Sequence, residues 1–214
     1  MASSQRKPSR SERGAARDRL LDAASALLSE RDNLAISLNE ISARSGLNHG
    51  LVNYYFGGKE GLLTALLERD ALTALGALDR LVASDLPAEI KLERHIRGII
   101  QTYYRFPYIN RLISRLQSES ADTAELLARI FISPLQVLQN RIIEEGVESG
   151  RFRAVDSWFL YHTLVGMCEF IFQSRNTLPF LTNARPITPA TCDEYASYVI
   201  DLILRGISRD IAPA

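Results

Sequence analysis

The stretch from Ser37 to Lys59, SLNEISARSGLNHGLVNYYFGGK, admits few folds. Ser37 and Glu40 stand three apart ahead of apolar residues. That is the spacing of a capping box, so a helix is predicted to begin at Leu38. Its inward side is Leu38, Ile41 and Ala43. Gly46 supplies the positive φ that ends this helix, and Leu47 turns into the core beside it. Asn48 then serves as the N-cap of a second short helix, His49 to Tyr55. Helix, tight turn, helix is the geometry that sets a second helix into the DNA major groove.

At helical spacing Val52 and Phe56 of the second helix point inward, which leaves His49, Gly50, Asn53 and Tyr54 pointing outward. Asparagine reads adenine bidentately, and histidine and tyrosine reach bases or phosphates. A polar face this short also suits a plain solvated connector, so the flanking residues decide between the two.

Those flanks carry a resemblance. The run SGLNHGLVNYYFGGKEGLL resembles the DNA-binding signature of the tetracycline-repressor family of bacterial transcription regulators. Gly46 stands in the turn, Asn48 at the capping position and a small residue at Gly50. Val52 is the aliphatic core residue, Tyr54 and Tyr55 the aromatic pair, and Phe56 the core plug. Lys59 and Glu60 precede a leucine pair. Ile41 and Ser37 match upstream, as does the preceding helix ARDRLLDAASALLSE. The resemblance covers about the first third of the chain. It implies DNA contacts from Ser37, Asn48, His49, Gly50, Leu51, Asn53, Tyr54 and Lys59, with Tyr54 and Lys59 on phosphates. Departures exist: Ser42 and Ser45 replace the usual alanines, Asn53 replaces a tyrosine, and Leu51 replaces a small hydroxyl residue. The glycine after the first helix is absent, and Asp32 or Asn33 is expected to take the left-handed conformation instead. Leu51 suits a thymine methyl, so the operator sequence is expected to differ from the common one.

The formal net charge is zero, but its distribution is uneven. Residues 1–19 hold Arg6, Lys7, Arg10, Arg13, Arg17 and Arg19 against Glu12 and Asp18. Residues 1–12 read as a disordered basic arm, either lying along DNA or merely solubilising the chain. No run of about 18 apolar residues occurs, and no apolar stretch follows the basic N-terminus. A cytoplasmic protein without a membrane span is therefore expected. Cys168 and Cys192 lack metal-ligand spacing and read as reduced thiols. There is no GxSxG elbow, phosphate loop, HExxH or paired-cysteine site, so no catalytic residue, metal or cofactor is predicted and the chain is not read as an enzyme.

Beyond Lys59 the apolar period is helical throughout. Helices are predicted over 59–83, 88–105, a shorter stretch through Leu112 and Leu116, 122–149 with a kink at Pro134, 156–174 and 189–208. Gly146 is expected to weaken the fourth of these. The fold class is all-α with about nine helices: a three-helix helix-turn-helix domain over 13–60 and a larger effector-binding and dimerisation domain over 61–214. The last two helices are apolar over wide arcs, so each needs partners on both flanks. The resemblance implies a homodimer through residues about 156–208, presenting two recognition helices to a palindromic double-stranded operator. Candidate effector contacts are polar or aromatic residues on apolar faces: Tyr103, Tyr104, Arg115, Phe131, Trp158, His162 and Phe170. His162, a titratable group amid apolar neighbours, is expected to line the cavity. The function expected is a repressor released from DNA by a small apolar or aromatic effector. The alternative is a helical protein-interaction module whose DNA-binding motif is vestigial.

Overall fold

The computed structural model describes residues 10–31 and 34–209. Most of the basic arm and the chain reversal expected at Asp32 or Asn33 lie outside the described residues. The chain forms two compact units, residues 1–69 and 70–214. The fold is all-α. Helices α1 (Arg10–Glu30), α2 (Leu38–Ser45), α3 (Gly50–Phe56) and α4 (Lys59–Val82) are followed by α5 (Ala88–Arg105) and α6 (Tyr108–Glu119). Then come α7 (Ala121–Leu127), α8 (Ser133–Glu148), α9 (Ser157–Gln173) and α10 (Pro189–Ile207). A π-helical segment, Ala128–Ile132, joins α7 to α8, so these form one continuous run and nine helices result among the described residues.

The expected kink at Pro134 takes the form of that widened turn. Proline has no N–H to give, and its ring crowds the carbonyl four residues earlier. The preceding backbone therefore closes a longer loop, in which the Ser133 N–H donates to Ala128 O.

In the first unit Leu20, Leu21, Ala24, Leu28, Ile41, Val52, Leu62, Leu63 and Leu66 are fully buried. They are the inward stripes of α1 to α4. In the second unit the core includes Leu92, Ile96 and Ile100 of α5, Ile142 of α8, Leu164 and Cys168 of α9 and Val199 of α10. Gly146 serves a different purpose from the one expected. The ring of Phe152, itself buried, lies on it, and a Cβ there would stand 2.0 Å from Phe152 Cδ2. The glycine makes room for the ring where the chain turns back after α8. Among the described residues the one strand-like pairing is the single bridge between Phe152 and Ser208.

The apolar face of α5 carries two polar residues that its period did not single out. Lys91 is buried, and its Nζ donates to Val82 O at 2.9 Å and to Glu145 Oε2 at 2.6 Å. One turn on, His95 is buried against Gln139 of α8, with Nε2 3.3 Å from Gln139 Oε1. An amide oxygen only accepts, so Nε2 carries the proton. Burial penalises the imidazolium and brings the His95 pKa down to about 4. The unfolded chain titrates this group near 6.5, so between pH 6.5 and 4 it binds a proton that the folded chain refuses. Stability is therefore full above about pH 6.5 and falls as pH drops toward 4, by up to about 3 kcal/mol. His95→Gln should flatten that pH slope in melting curves taken between pH 7 and 4.5. An unchanged slope would place the acid sensitivity elsewhere.

Candidate nucleic-acid interface

The first unit holds α2 and α3 by local polar bonds as well as by its core. Ser37 and Glu40 form the predicted capping box: Ser37 Oγ accepts the Glu40 N–H at 3.2 Å, and Glu40 Oε2 accepts the Ser37 N–H at 2.8 Å. Arg31 pairs with the same carboxylate, and this pairing, then the Ser37 hydrogen bonds, bring the Glu40 pKa down to about 2. Arg19 Nη2 donates to Ser45 O at 2.6 Å, and Arg44 pairs with Glu30. Arg31, Arg19 and Arg44 are thus engaged in fastening α2. Gly46 has φ +66° and ends the helix as expected. Ile41 is buried, but Ala43 is exposed and Leu38 only half-buried. The second buried position falls to Ser45, one turn after Ile41, because four residues and not two restore the same face of a helix.

Helix α3 begins at Gly50, one residue later than expected, and its N-cap position is His49. Asn48 still satisfies an end amide: its Oδ1 accepts the Gly50 N–H at 2.8 Å in a side-chain turn preceding the helix. Val52 is fully buried and Phe56 half-buried, with the Arg17 guanidinium 5.2 Å from the Phe56 ring centre. His49, Gly50 and Asn53 are exposed, and Tyr54 is 69 % exposed. Tyr54 packs edge-on against Tyr55 at 5.0 Å, which stiffens it without burying its hydroxyl. Leu51 and Lys59 are half-buried, and Ser37 is exposed. Apart from Ser37, which caps α2, the residues expected to meet DNA lie on or next to one short helix, α3, whose apolar side is anchored by Val52.

Gly61 is a feature of this unit that periodicity did not reveal. A Cβ there would stand 1.9 Å from Phe56 O, so the last carbonyl of α3 approaches the first turn of α4 where only a hydrogen fits. This contact sets how α3 meets α4.

The effector candidates separate into two groups. Tyr103 is buried beside Phe172, with ring centres 6.0 Å apart, and burial raises its hydroxyl pKa, with Glu169, Cys168 and Tyr161 adding to the shift. Tyr104, Arg115 and Phe131 are half-buried. Trp158 and Phe170, by contrast, are 60 % and 69 % exposed, and His162 is exposed too. The expectation that His162 lines an interior cavity is therefore corrected. Helix α9 buries Leu160, Tyr161, Leu164, Cys168 and Phe172, and this stripe turns residues 158, 162 and 170 outward. The polar edge of His162 is met by its own helix: Nδ1 lies 2.7 Å from Trp158 O, and the ring packs at a tilt against Trp158, with ring centres 4.2 Å apart. Cys168 is buried and its thiol is pushed up to about 12 by desolvation; burial also raises Cys192. Both thiols stay protonated and poorly nucleophilic at neutral pH. Among the described residues no cluster of three metal-ligating side chains occurs, and no helix is long and apolar enough to cross a membrane.

The profile described as "Bacterial regulatory proteins, tetR family" matches residues 20–66, and "Tetracyclin repressor-like, C-terminal domain" matches residues 85–212. The chain belongs to the tetracycline-repressor family. It is 35 % identical over 134 residues to the HTH-type transcriptional repressor Rv3405c of Mycobacterium tuberculosis, covering 56 % of this chain and 68 % of that one. It is 25 % identical over 198 residues to the HTH-type transcriptional repressor NicS of Pseudomonas putida, covering 90 % and 92 %. The fold superposes on the transcriptional regulator FadR of Bacillus subtilis, solved in complex with stearoyl-CoA, with a TM-score of 0.70 at 15 % identity, covering 89 % of this chain and 98 % of that one. This tetracycline-repressor family member is thus a DNA-binding transcriptional regulator, and its relatives are regulators, not enzymes.

Proposed function

We propose that this regulator is a homodimeric repressor that binds a palindromic operator and leaves it when a small molecule binds residues 61–214. The observation that carries the DNA half is the exposed polar face of α3, His49, Gly50, Asn53 and Tyr54, on a helix anchored by buried Val52. Asn53 and His49 read base edges, Leu51 meets a thymine methyl, and Tyr54, Lys59 and the α2 cap at Ser37 sit on phosphates. Asn48 shapes the turn that presents them. Rv3405c and NicS are both described as repressors, which supports repression here.

The dimer half rests on a solvent-facing apolar surface. Phe159 and Phe170 of α9 are 64 % and 69 % exposed, and Tyr198 and Leu202 of α10 lie one turn apart and open to solvent. Between the two phenylalanines, at helical spacing, stand Thr163 and Gly166, both exposed. A small-residue stripe bordered by aromatics lets a second helix approach closely, and a surface of this kind marks an interface. The operator is released by population shift: the effector prefers a state whose recognition helices no longer match major grooves about 34 Å apart.

A mobility shift with the DNA flanking its own gene tests the reading. Tyr54→Ala and Lys59→Ala should weaken binding to all sequences, since phosphate contacts carry no sequence information. His49→Ala and Asn53→Ala should change which sequence is preferred, by about 1–3 kcal/mol for each lost base contact. Four folded variants with unaltered affinity and preference would remove α3 as the reading helix.

A further inference from the structure

We infer that the open groove between α4 and α8 binds a neutral amphiphile. Its ligand would have an apolar body of one ring or a short alkyl chain and an uncharged head that both donates and accepts hydrogen bonds. The inference deepens the effector reading above and rests on it.

The groove has a volume of about 450 Å³, within the range of small-molecule sites. Its walls are Leu72 and Leu75 of α4 facing Pro134 and Val137 of α8, with Asp79 and Arg141 at one end. Leu72 is 66 % exposed and Val137 53 % exposed, so an apolar wall stands open on both sides. Gly76 lies between them in the interior of α4, where glycine is unfavourable. A Cβ there would meet its nearest neighbour, Arg80 Nη1, at an ordinary 3.6 Å, so packing gives no reason for the missing side chain. Its absence leaves the groove floor open.

The orientation follows from the buried ammonium of Lys91, which ties Val82 at the end of α4 to Glu145 of α8. Asp79 and Arg141 stand about one turn before this tie, and Leu72 and Pro134 at the far end. The groove is therefore apolar at one end and charged at the other. Asp79 and Arg141 are exposed, and among the described residues neither forms an ion pair. An anionic head would meet Asp79 and a cationic head Arg141, and like charges in contact cost affinity. A head such as a primary amide instead donates to the carboxylate and accepts from the guanidinium. The π-helical turn Ala128–Ile132 ends next to Pro134, at the groove's edge. Such widened turns recur at functional sites, and this one lets the first turn of α8 yield when a body enters. With the Lys91 tie holding the other end, α4 and α8 then part about that tie.

Methyl NMR of the full-length protein titrated with para-butylbenzamide tests this. Shifts should concentrate on Leu72, Leu75, Val137 and Leu138. The benzoate and benzylammonium analogues should bind about tenfold more weakly. Val137→Trp, at an exposed position, should remove binding with helicity and melting unchanged. Asp79→Asn should recover the benzoate, and Arg141→Gln the benzylammonium, which a purely structural role would not produce. Shifts confined to other methyls, a charged analogue preferred by the native protein, or full binding by Val137→Trp would each overturn the inference. Mobility shifts run in parallel separate the two readings. A groove that binds nothing leaves the DNA reading standing, whereas a native protein that binds no DNA overturns that reading whatever the groove does.

Discussion

Leu202→Glu should turn a dimer at micromolar concentration into a folded monomer, and operator affinity should fall by at least about a hundredfold. Leu202 is 43 % exposed and stands one turn from Tyr198, so a single chain accommodates a carboxylate there without disturbing its core. In the proposed dimer the same carboxylate is buried twice, once from each subunit, with an apolar partner and a like charge nearby. A lone recognition helix spans too few base pairs to discriminate, so each half-site alone binds weakly. Leu164 of α9, also on an apolar arc, offers no such surface. It is fully buried within its own chain, so Leu164→Glu reports on folding and serves as the contrasting control. Sedimentation and melting curves on both variants separate the two effects. A Leu202→Glu protein that still sediments as a dimer would displace the proposed interface from α10.

The difference between Leu164 and Leu202 illustrates what sequence periodicity contains. It reports that a helix has apolar residues over a wide arc, and α9 and α10 do. It does not report which part of the arc the chain itself covers, because that depends on where α5 and α8 lie. For the same reason His162 and Trp158 were legible as polar and aromatic residues in an apolar helix but not as surface groups. The capping box at Ser37 and Glu40 and the turn at Gly46 were legible because their spacing alone determines their geometry. So were the boundaries of α5, set by Pro87 before it and Pro107 after it. The buried pair His95 and Gln139 required a contact between residues 44 positions apart, which no local pattern encodes. The signal available was weaker: a lysine and a histidine one turn apart on an otherwise apolar face of α5.

Gly61→Ala should destabilise the protein by about 1–3 kcal/mol and also weaken operator binding about tenfold or more. Helix propensity alone predicts the opposite sign, since Gly61 lies in the first turn of α4 and alanine is favoured over glycine in helices by up to about 1 kcal/mol. Distance decides between the two. The new Cβ would sit 1.9 Å from Phe56 O, which belongs to the main chain and cannot rotate away. Relief requires α3 and α4 to separate by about 1 Å, and that movement shifts His49, Asn53 and Tyr54 together. Base contacts need placement to about 0.5 Å, so affinity falls even in molecules that remain folded. Gly98→Ala is the control: it lies inside α5 with nothing within 4 Å of its would-be Cβ, and it should stabilise by about 0.5–1 kcal/mol. Chemical denaturation and mobility shifts on both variants measure the two signs directly. If Gly61→Ala stabilises as Gly98→Ala does, the close approach of α3 to α4 does not set the position of the reading helix.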